Sequence, residues 1–508
     1  MQPNIKVGAT ASIGICILII GCVLGWYGFP VIIDNMLEKS MVLTPSSESL
    51  EGWQAPTDKV DVFMQFIMFN VTNAEAVIAR GEKPMLQEVG PFSYRESRRR
   101  VNLSWSEDGA RLTYSEHLSY AFDPETSAPG VDEDTSIVTV NAPMLMLQEL
   151  VASLPLSMIL SGLVSATMGP QLRRPFVSVP VRQLLFDGSP VPALKSLLRL
   201  PGTGAILDGL CGRGLCGSPR DLERLKNGRF PSMMYNNSLD GPYTIDTGKN
   251  DIDRFTRVES YKGKSSLDYW GSSYCNMLNG TDGITYPPHM ERKDRIFIFN
   301  KDLCRSIYLD YERDVEYFGI STRRYVPARA VLEEPAVNPD NKCFCAPEDH
   351  CLRAGALSLS PCQFGAPIVA STPHFYNGDP SYLEAVDGLA PDKRYHETFI
   401  DIEPLTGLAL NGGKKIQINI DLERFGSLDG MERLPPVLFP VMYTNETAVV
   451  NSALAAEFRD RLQRPLSLVA AARWLLVALG SALLLLAGLM YLRRHSHPTT
   501  KAGQCPLQ

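Results

Sequence analysis

Residues 60–71 read VDVFMQFIMFNV, a run that is apolar on both alternating faces. Such a run predicts a strand that is buried on each side within a sheet. Residues 415–421, KIQINID, instead alternate between apolar and polar side chains, which predicts a strand with two different faces. Its apolar members are expected to face inward and its polar members outward: Ile416, Ile418 and Ile420 against Gln417, Asn419 and Asp421.

Further strands are predicted over residues 295–299 and 436–443, where short apolar runs recur. Turn signals lie between the runs, among them Gly90-Pro91, Asp387-Gly388 and Asn411-Gly412. The middle of the chain is therefore predicted to be an antiparallel β structure.

The two ends of the 508-residue chain are different, because each holds a long uncharged apolar segment. About 20 helical residues cross a bilayer, and both segments reach that length. The sequence predicts transmembrane helices over 7–33 and 473–492, with one large ectodomain between them. In this organisation residues 1–6 and 493–508 are cytoplasmic tails, and residues 34–472 form the ectodomain.

Covalent chemistry places that ectodomain in an extracellular or lumenal compartment. Eight of the eleven cysteines lie in it, as expected in oxidising surroundings. All five Asn-x-Ser/Thr sequons lie there too, at Asn70, Asn102, Asn236, Asn279 and Asn445. The first apolar segment is longer than a signal-peptide core and no Ala-x-Ala-like site follows it, so we expect an uncleaved anchor.

Three glycines in the first predicted span, Gly14, Gly21 and Gly25, have the spacing that lets membrane helices approach closely. Glycine is also simply frequent in spans, so both explanations stay open. A second open question concerns residues 142–210, which are apolar with helical spacing and carry Pro155. We expect a helical insert in the β body, either packed as core or exposed as a surface for an apolar ligand.

The net charge of −7 argues against bulk attraction to nucleic acid or anionic membranes. No nucleophile elbow or zinc-protease motif occurs, and no cofactor is expected. Gly212, Gly214 and Gly217 match a dinucleotide fingerprint without its preceding strand. Asp401 and Glu403 share one strand face and are expected to bind the backbone or a basic neighbour. The sequence therefore predicts a protein that is not an enzyme.

Six ectodomain cysteines cluster between Cys275 and Cys362, and His350 lies among them. Zinc is conceivable, but the compartment and the irregular spacing favour disulfides. Cys211 and Cys216 are close enough in sequence for a separate local bridge.

Several long stretches carry a family resemblance. They are RGEKP (80–84), GPFSYRE (90–96), CNMLNGTDG (275–283), DLCRSIY (302–308), NPDNKCFC (338–345), PHFYNGDP (373–380), HETFIDIEPLTG (396–407) and FPVMYTNET (439–447). With the two-span layout, they resemble the class B scavenger receptor family. Its members include a fatty acid translocase, a high-density lipoprotein receptor and a lysosomal integral membrane protein.

The resemblance implies an antiparallel β-barrel core, a helical apex and an internal apolar tunnel that leads toward the bilayer. It also implies three disulfides, Cys275–Cys343, Cys304–Cys362 and Cys345–Cys351. The implied partners are lipids, fatty acids, cholesterol or lipoprotein particles, and self-association stays open. Because lipids dissolve poorly in water, a shielded path can move them without covalent chemistry.

The apical ligand site is expected around Arg173 and Arg174, which stand in for the lysines associated with anionic ligands in the translocase. Apolar candidates for the same site are Met158, Leu160 and Leu163. We expect a surface receptor in the plasma membrane, with both termini cytoplasmic. The alternative is a lysosomal membrane receptor that carries a lumenal hydrolase. Against it, the tail lacks an acidic dileucine signal and no histidine occurs between His117 and His289. Cys505 is a candidate for palmitoylation.

Overall fold

The computed structural model describes residues 3–47, 49–145, 174–191, 195, 223, 226–230, 236–347, 350–363, 365–422 and 436–495. Two compact units can be distinguished within the chain. The first joins residues 1–41 to residues 452–508, and the second comprises residues 42–451.

The first unit consists of helices from both ends of the chain. A continuous helical segment suited to span a membrane covers Lys6–Met41, and a second covers Ser452–Arg493. They are built from α1 (Pro3–Val23), a π-helical turn (Leu24–Gly28) and α2 (Phe29–Met41), and from α7 (Ser452–Phe458), a π-helical turn (Arg459–Gln463) and α8 (Arg464–His495). Both predicted spans thus lie within longer helices.

Small residues let α1 pack closely against α8. A Cβ atom on Gly480 would lie 2.8 Å from the Leu18 backbone nitrogen, and one on Gly14 would lie 3.1 Å from the Gly480 carbonyl oxygen. A Cβ on Gly21 would lie 3.0 Å from that of Leu476. The glycines of the first span are therefore contact positions between the two helices of this chain.

Trp26 and Trp474 meet edge to face with ring centroids 5.5 Å apart, and the Arg473 guanidinium lies 4.7 Å from the Trp26 ring. Tryptophan and arginine in this arrangement are typical of a membrane–water interface.

The second unit is mostly antiparallel sheet. Its strands are β1 (Asp61–Val71), β2 (Leu86–Trp105), β3 (Arg111–Phe122), β4 (Ser136–Val140), β5 (Phe176–Pro180), β6 (Ser189–Pro190), β7 (Arg229–Phe230), β8 (Ser238–Asp246), β9 (Val258–Tyr261), β10 (Ile296–Asn300), β11 (Arg305–Tyr317), β12 (Ile320–Pro327), β13 (Ala356–Ser358), β14 (Ile368–Ser371), β15 (Phe399–Glu403), β16 (Leu408–Asp421) and β17 (Leu438–Val449). The α-helices among its described residues are α3 (Ser49–Gln54), α4 (Ala74–Arg80), α5 (Pro380–Glu384) and α6 (Lys393–His396). The four strands predicted from the sequence are confirmed as β1, β10, β16 and β17.

Thirteen of the described strands form one sheet, called the main sheet below. Its central path runs β10-β11-β12-β15-β16-β17-β1-β2-β3-β8-β9, and β13 and β14 attach to β16. Every strand pair in it is antiparallel, so the predicted fold class is confirmed.

Residues 280 and 281 connect the two edge strands of this path. Val258 of β9 donates its N–H to the Gly280 carbonyl at 2.8 Å. Thr281 donates to the Phe297 carbonyl of β10 at 3.2 Å, and Phe299 donates back to Thr281 at 2.9 Å. This closing segment pairs with both edges, which makes the main sheet a nearly closed barrel.

The burial of β1 agrees with the prediction, because Phe66, Ile67, Met68 and Phe69 are all buried on successive positions. These residues belong to a large apolar core that also includes residues of β2, β5 and β17. The prediction for β16 is wrong at its polar positions, since Gln417 and Asn419 are completely buried rather than facing outward.

The neighbours of β16 explain that difference. Strand β14 pairs edge to edge with the end of β16, and the segment Pro373–Phe375 that follows β14 contacts the Gln417 side chain. Gln417 Oε1 accepts the His374 N–H at 2.7 Å, and Asn419 Nδ2 donates to the Val369 carbonyl at 3.0 Å. The side-chain amides therefore satisfy backbone groups inside the protein instead of contacting water.

The predicted helical insert at residues 142–210 lies largely outside the described residues. Its described beginning is helical at 142–145. Strand β5 then pairs with β4, and a π-helical turn follows at Gln183–Asp187. The insert is therefore not helical throughout.

Candidate functional site

A cavity of about 250 Å³ lies inside the main sheet and is called the luminal cavity below. Side chains of β1, β2, β3, β8, β10, β11, β15, β16 and β17 line it, so its walls come from most of the barrel. One part of the wall is apolar and consists of Val60, Val62, Ile284, Ile298, Ile307, Leu309, Phe399, Ile400, Leu410 and Ala448. That part can hold a hydrocarbon chain.

The rest of the wall is charged. Arg98 lies between two carboxylates and contacts Glu96 at 2.8 Å and Glu446 at 2.9 Å. The Lys414 ammonium group also contacts two carboxylates, Asp302 at 2.8 Å and Glu446 at 2.7 Å. The resulting chain of ion pairs joins β2, β16 and β17 across the cavity.

Lys301 extends this network toward β3 and β8. Its ammonium group lies 2.8 Å from Asp240 and 3.8 Å from Glu116. Burial raises the pKa of Asp240, but the Lys301 ammonium group lowers it by more, so this pKa lies far below its usual value. Burial lowers the pKa of Lys301, but Asp240 and Glu116 outweigh that effect and raise it. Both partners therefore stay charged.

Glu96 and Glu446 share Arg98 but differ in protonation. Burial raises the pKa of Glu96 to about 7, against the opposing effect of Arg98. Burial also acts on Glu446, but Lys414 and Arg98 together lower its pKa to about 2. Near neutral pH, Glu446 is thus ionised, whereas Glu96 is present in both its protonated and its ionised form.

A smaller cavity of about 110 Å³ adjoins the first. Lys414, Ile307 and Thr398 line both cavities. The resemblance implies an apolar tunnel, whereas the described residues form two neighbouring cavities with a charged group at their boundary.

The CD36 family model matches residues 12–491, nearly the whole chain. The chain belongs to the CD36 family. It is similar to sensory neuron membrane protein 2 of Manduca sexta, with 35% identity over 494 residues that cover 94% of this chain and 92% of that protein. It is also similar to lysosome membrane protein 2 of Rattus norvegicus, with 33% identity over 459 residues, 89% of this chain and 87% of that protein.

Three disulfides cross-link the described residues of the ectodomain in this CD36 family member. They join Cys275 to Cys343, Cys304 to Cys362 and Cys345 to Cys351, the three pairs that the resemblance implies. Cys275 and Cys304 belong to a small core with Trp270 and Phe344. Cys211, Cys216 and Cys505 lie outside the described residues.

Of the predicted ligand site, the structure describes Arg174 alone. Its guanidinium contacts Glu75 at 3.0 Å, and the two side chains are 59% and 81% exposed. Such a surface pair contributes about 0–1 kcal/mol, so Arg174 can exchange Glu75 for another anion. Arg173, Met158, Leu160 and Leu163 lie outside the described residues, as do Gly212, Gly214 and Gly217.

The predicted glycosylation sites differ in how freely they are presented. Asn102 is exposed. Asn70 is half-buried and accepts the Val138 N–H at 2.8 Å, whereas Asn236 and Asn445 donate to Tyr120 and Gln65. Asn279 is half-buried. Among the five sequon asparagines, Asn102 alone is exposed.

The carboxylates Asp401 and Glu403 act as structural groups. Asp401 is fully buried and receives two hydrogen bonds from Arg324 at 2.7 Å each. Glu403 accepts from the Thr406 backbone at 2.8 Å and from its hydroxyl at 2.7 Å. These are the kinds of partner that the sequence predicts.

Glu88, His374 and His396 form a cluster of possible metal ligands in the described part of the chain. However, the backbone N–H groups of Ala390 and Asp392 donate to the two histidine Nδ1 atoms, each at 2.9 Å. Each neutral ring therefore carries its hydrogen on Nε2, which leaves no lone pair there for a metal. Metal-bound histidines show the opposite arrangement, in which the second nitrogen donates.

His396 is also a poor pH switch. The two rings stack with centroids 4.2 Å apart. Burial and the neighbouring His374 lower the pKa of His396 to about 4. His396 therefore stays uncharged at neutral and mildly acidic pH.

The charged wall of the luminal cavity was not predicted from the sequence. Glu96 belongs to the GPFSYRE stretch, but nothing in that stretch alone indicates that its side chain points into a barrel. The available signal was the alternation of Glu96, Arg98 and Arg100, which places three charged residues on one face of β2.

Proposed function

We propose that this protein is a membrane-anchored receptor that binds lipids or lipoproteins at its apex and passes lipid through its ectodomain to the membrane. The observation that carries the proposal is the luminal cavity, which combines an apolar wall with a nearly closed barrel. Membership of the CD36 family supports the same function. Transfer along this path needs shielding from water but no covalent step.

We infer residence in the plasma membrane with both termini in the cytoplasm. The similarity to lysosome membrane protein 2 favours one alternative, a receptor of the lysosomal membrane that carries a hydrolase. His396 stays uncharged below neutral pH, so this residue gives no support to acid-triggered release. Imaging of a tagged copy distinguishes the two locations.

Filling the luminal cavity is expected to block lipid transfer. Ala448 lines the cavity, whereas its neighbour Val449 points to the other face of β17 and is 42% exposed. We expect Ala448→Trp to reduce uptake of labelled cholesteryl ester or long-chain fatty acid by at least about fivefold, because the indole occupies the path. Cells that express equal surface amounts of each protein provide the measurement.

Val449→Trp is the matched control and should leave uptake unchanged. Forcing a large side chain into a cavity costs about 1–3 kcal/mol where it fits badly, so surface expression and thermal unfolding must be compared as well. Normal uptake by a well-folded Ala448→Trp protein would contradict transfer through this cavity. Absence of uptake by the wild-type protein would contradict the proposed function.

Reversing the apical charge is expected to weaken capture of anionic particles. Arg174 is exposed and only loosely paired, and Arg173 precedes it in the chain. We expect Arg173→Glu/Arg174→Glu to reduce binding of anionic lipoprotein about tenfold at low salt, with a smaller difference at high salt because ions screen exposed charges. Arg292→Glu/Lys293→Glu is a suitable control, since these residues are also adjacent and exposed. Binding that is unchanged would remove Arg173 and Arg174 from the site.

A further inference from the structure

The guanidinium group of Arg305, at the start of β11, is a buried charge without a carboxylate partner. Arg305 is 5% exposed, and its side chain forms no ion pair with the residues that the structure describes. The other buried arginine of the described chain, Arg100, lies 2.6 Å from Asp282. Because a buried charge without a counter-charge is unfavourable, Arg305 is a group that an anion would stabilise.

The hydrogen bonds of Arg305 leave one of its nitrogens free. Nη1 donates to the Val331 carbonyl at 3.2 Å, and Nε donates to the Ser306 carbonyl at 3.4 Å. The Phe344 ring covers one face of the guanidinium, with Cζ 3.3 Å from the ring centre. Nη2 donates to no described residue, and it is not among the fully enclosed atoms, so a small ligand can reach it.

A pocket of about 30 Å³ lies beside this group and is called the Arg305 pocket below. Its other walls come from the short 3₁₀-helices Arg329–Leu332 and Pro339–Phe344, from the loop that the Cys345–Cys351 disulfide closes, and from β13. A volume of roughly 10–15 Å³ holds one water molecule. The pocket is therefore large enough for a small ion and too small for a lipid.

The electrostatic surroundings favour an anion in this pocket. Burial lowers the pKa of Arg305 to about 9, and Tyr308 and Tyr274 oppose that effect, whereas no described carboxylate does. The group is therefore still charged at neutral pH. Glu333 also lines the pocket, but its carboxylate forms no ion pair with Arg305, and its Oε1 atom accepts the Glu334 N–H at 3.2 Å.

We propose that the Arg305 pocket binds a small monovalent inorganic anion such as chloride, which supplies the counter-charge of the guanidinium. A water molecule could accept a hydrogen bond from Nη2, but it would leave the charge uncompensated. The anion connects β11 to the loop closed by Cys345 and Cys351, so its binding stabilises this part of the ectodomain. The pocket shares no wall residue with the luminal cavity, and the site is independent of lipid transfer.

Thermal unfolding of the full-length protein in lipid nanodiscs tests the proposal. The samples contain sodium chloride, sodium bromide or sodium gluconate at equal ionic strength, so that exposed charges are screened equally. Gluconate is too large for the pocket. We expect chloride and bromide to raise the unfolding temperature by about 2–4 °C above that in gluconate, because they bind only the folded protein. The chlorine NMR line of the chloride sample should broaden, and it should narrow again when bromide is added.

Substitutions assign the effect to this residue. Arg305→Met should abolish the difference between chloride and gluconate. In gluconate it should unfold within about 2 °C of wild type, because an unpaired buried charge is removed. Arg313→Met is the matched control on the same strand, where the side chain is 57% exposed, and it should keep the full chloride effect. If Arg305→Met does not fold, Arg305→Lys is compared instead. It lacks the planar guanidinium and should weaken chloride binding at least about threefold.

Each outcome bears on a different part of the inference. Equal unfolding temperatures of the wild-type protein in chloride and gluconate, without NMR broadening, would overturn it. A chloride effect that persists in Arg305→Met, or unweakened in Arg305→Lys, would overturn the assignment to Arg305. Loss of the effect in Arg313→Met as well would indicate a general response to salt and would also count against the site.

Discussion

Replacing Gly280 by alanine is expected to destabilise the ectodomain by about 2–5 kcal/mol, enough to unfold many proteins. Gly280 has a φ angle of +82°, and an added Cβ atom would lie 1.7 Å from the Phe297 carbonyl oxygen. Left-handed backbone costs other residues about 1–2 kcal/mol, and overpacking adds about 1–3 kcal/mol. The clashing atom belongs to the backbone of β10, so it cannot move without shifting the strand.

The substitution affects more than the contact with Phe297, because Gly280 belongs to the closing segment. A shift there weakens the hydrogen bond from Val258 and the pairing of Thr281 with β10, so both edges of the barrel lose their partner. Unpaired edges also favour aggregation. We therefore expect a lower unfolding temperature and more aggregated protein after detergent extraction.

Gly263 provides the matched control, because its φ angle of +75° is similar and a Cβ atom added there would have no neighbouring atom within 4 Å. Gly263→Ala should cost only the backbone contribution of about 1–2 kcal/mol. Thermal unfolding of the two purified variants makes the comparison. Equal unfolding temperatures would contradict a special role of Gly280 in barrel closure.

The strand pattern and the two apolar ends could be predicted because both follow from local physical chemistry. A period of two in apolar residues marks a strand, and length marks a span. Strands β1 and β10 begin and end within one or two residues of their predictions. The family resemblance added the three disulfide pairs, which spacing alone leaves open.

The misprediction at Gln417 and Asn419 has a definite cause. An alternating pattern indicates that the two faces of a strand differ in polarity. It does not indicate that the polar face contacts water. In β16 the amide side chains bond to backbone groups of the neighbouring strand β14 and of His374. Only the tertiary arrangement brings these backbone groups next to the amides.

The luminal ion pairs could not be predicted for a related reason. Glu96 and Glu446 meet through Arg98 although they are far apart in sequence, and Lys301 comes from yet another part of the chain. A charged face on a strand ordinarily indicates that this face contacts solvent. It indicates a cavity only when the sheet closes on itself, and the closure depends on the segment around Gly280.

The same closing segment is held from inside the barrel by Arg100, whose side chain is fully buried. Its Nη2 atom donates to Asp282 Oδ2 at 2.6 Å, and its guanidinium lies 4.2 Å from the Trp53 ring. Burial lowers the pKa of Arg100, but Asp282, Tyr114 and Glu116 together outweigh burial, so the net direction is upward. Arg100 thus ties β2 and α3 to the residue that follows Thr281.

Removing this cation is expected to cost about 3–5 kcal/mol, because Arg100→Met leaves the Asp282 carboxylate partly buried without its counter-charge. Arg99→Met is the matched control on the preceding residue. Arg99 is 55% exposed and pairs with Asp58, which is 50% exposed, so its loss should cost about 0–1 kcal/mol. Chemical denaturation of the two purified variants at one protein concentration gives both values.

Two further results separate charge from packing. Adding Asp282→Asn to Arg100→Met should recover part of the lost stability, since the buried charge disappears with its partner. High salt should reduce the effect of Arg99→Met and leave that of Arg100→Met nearly unchanged, because buried pairs are screened little. If Arg100→Met and Arg99→Met proved equally stable, the Arg100–Asp282 pair would not be what holds the closing segment in place.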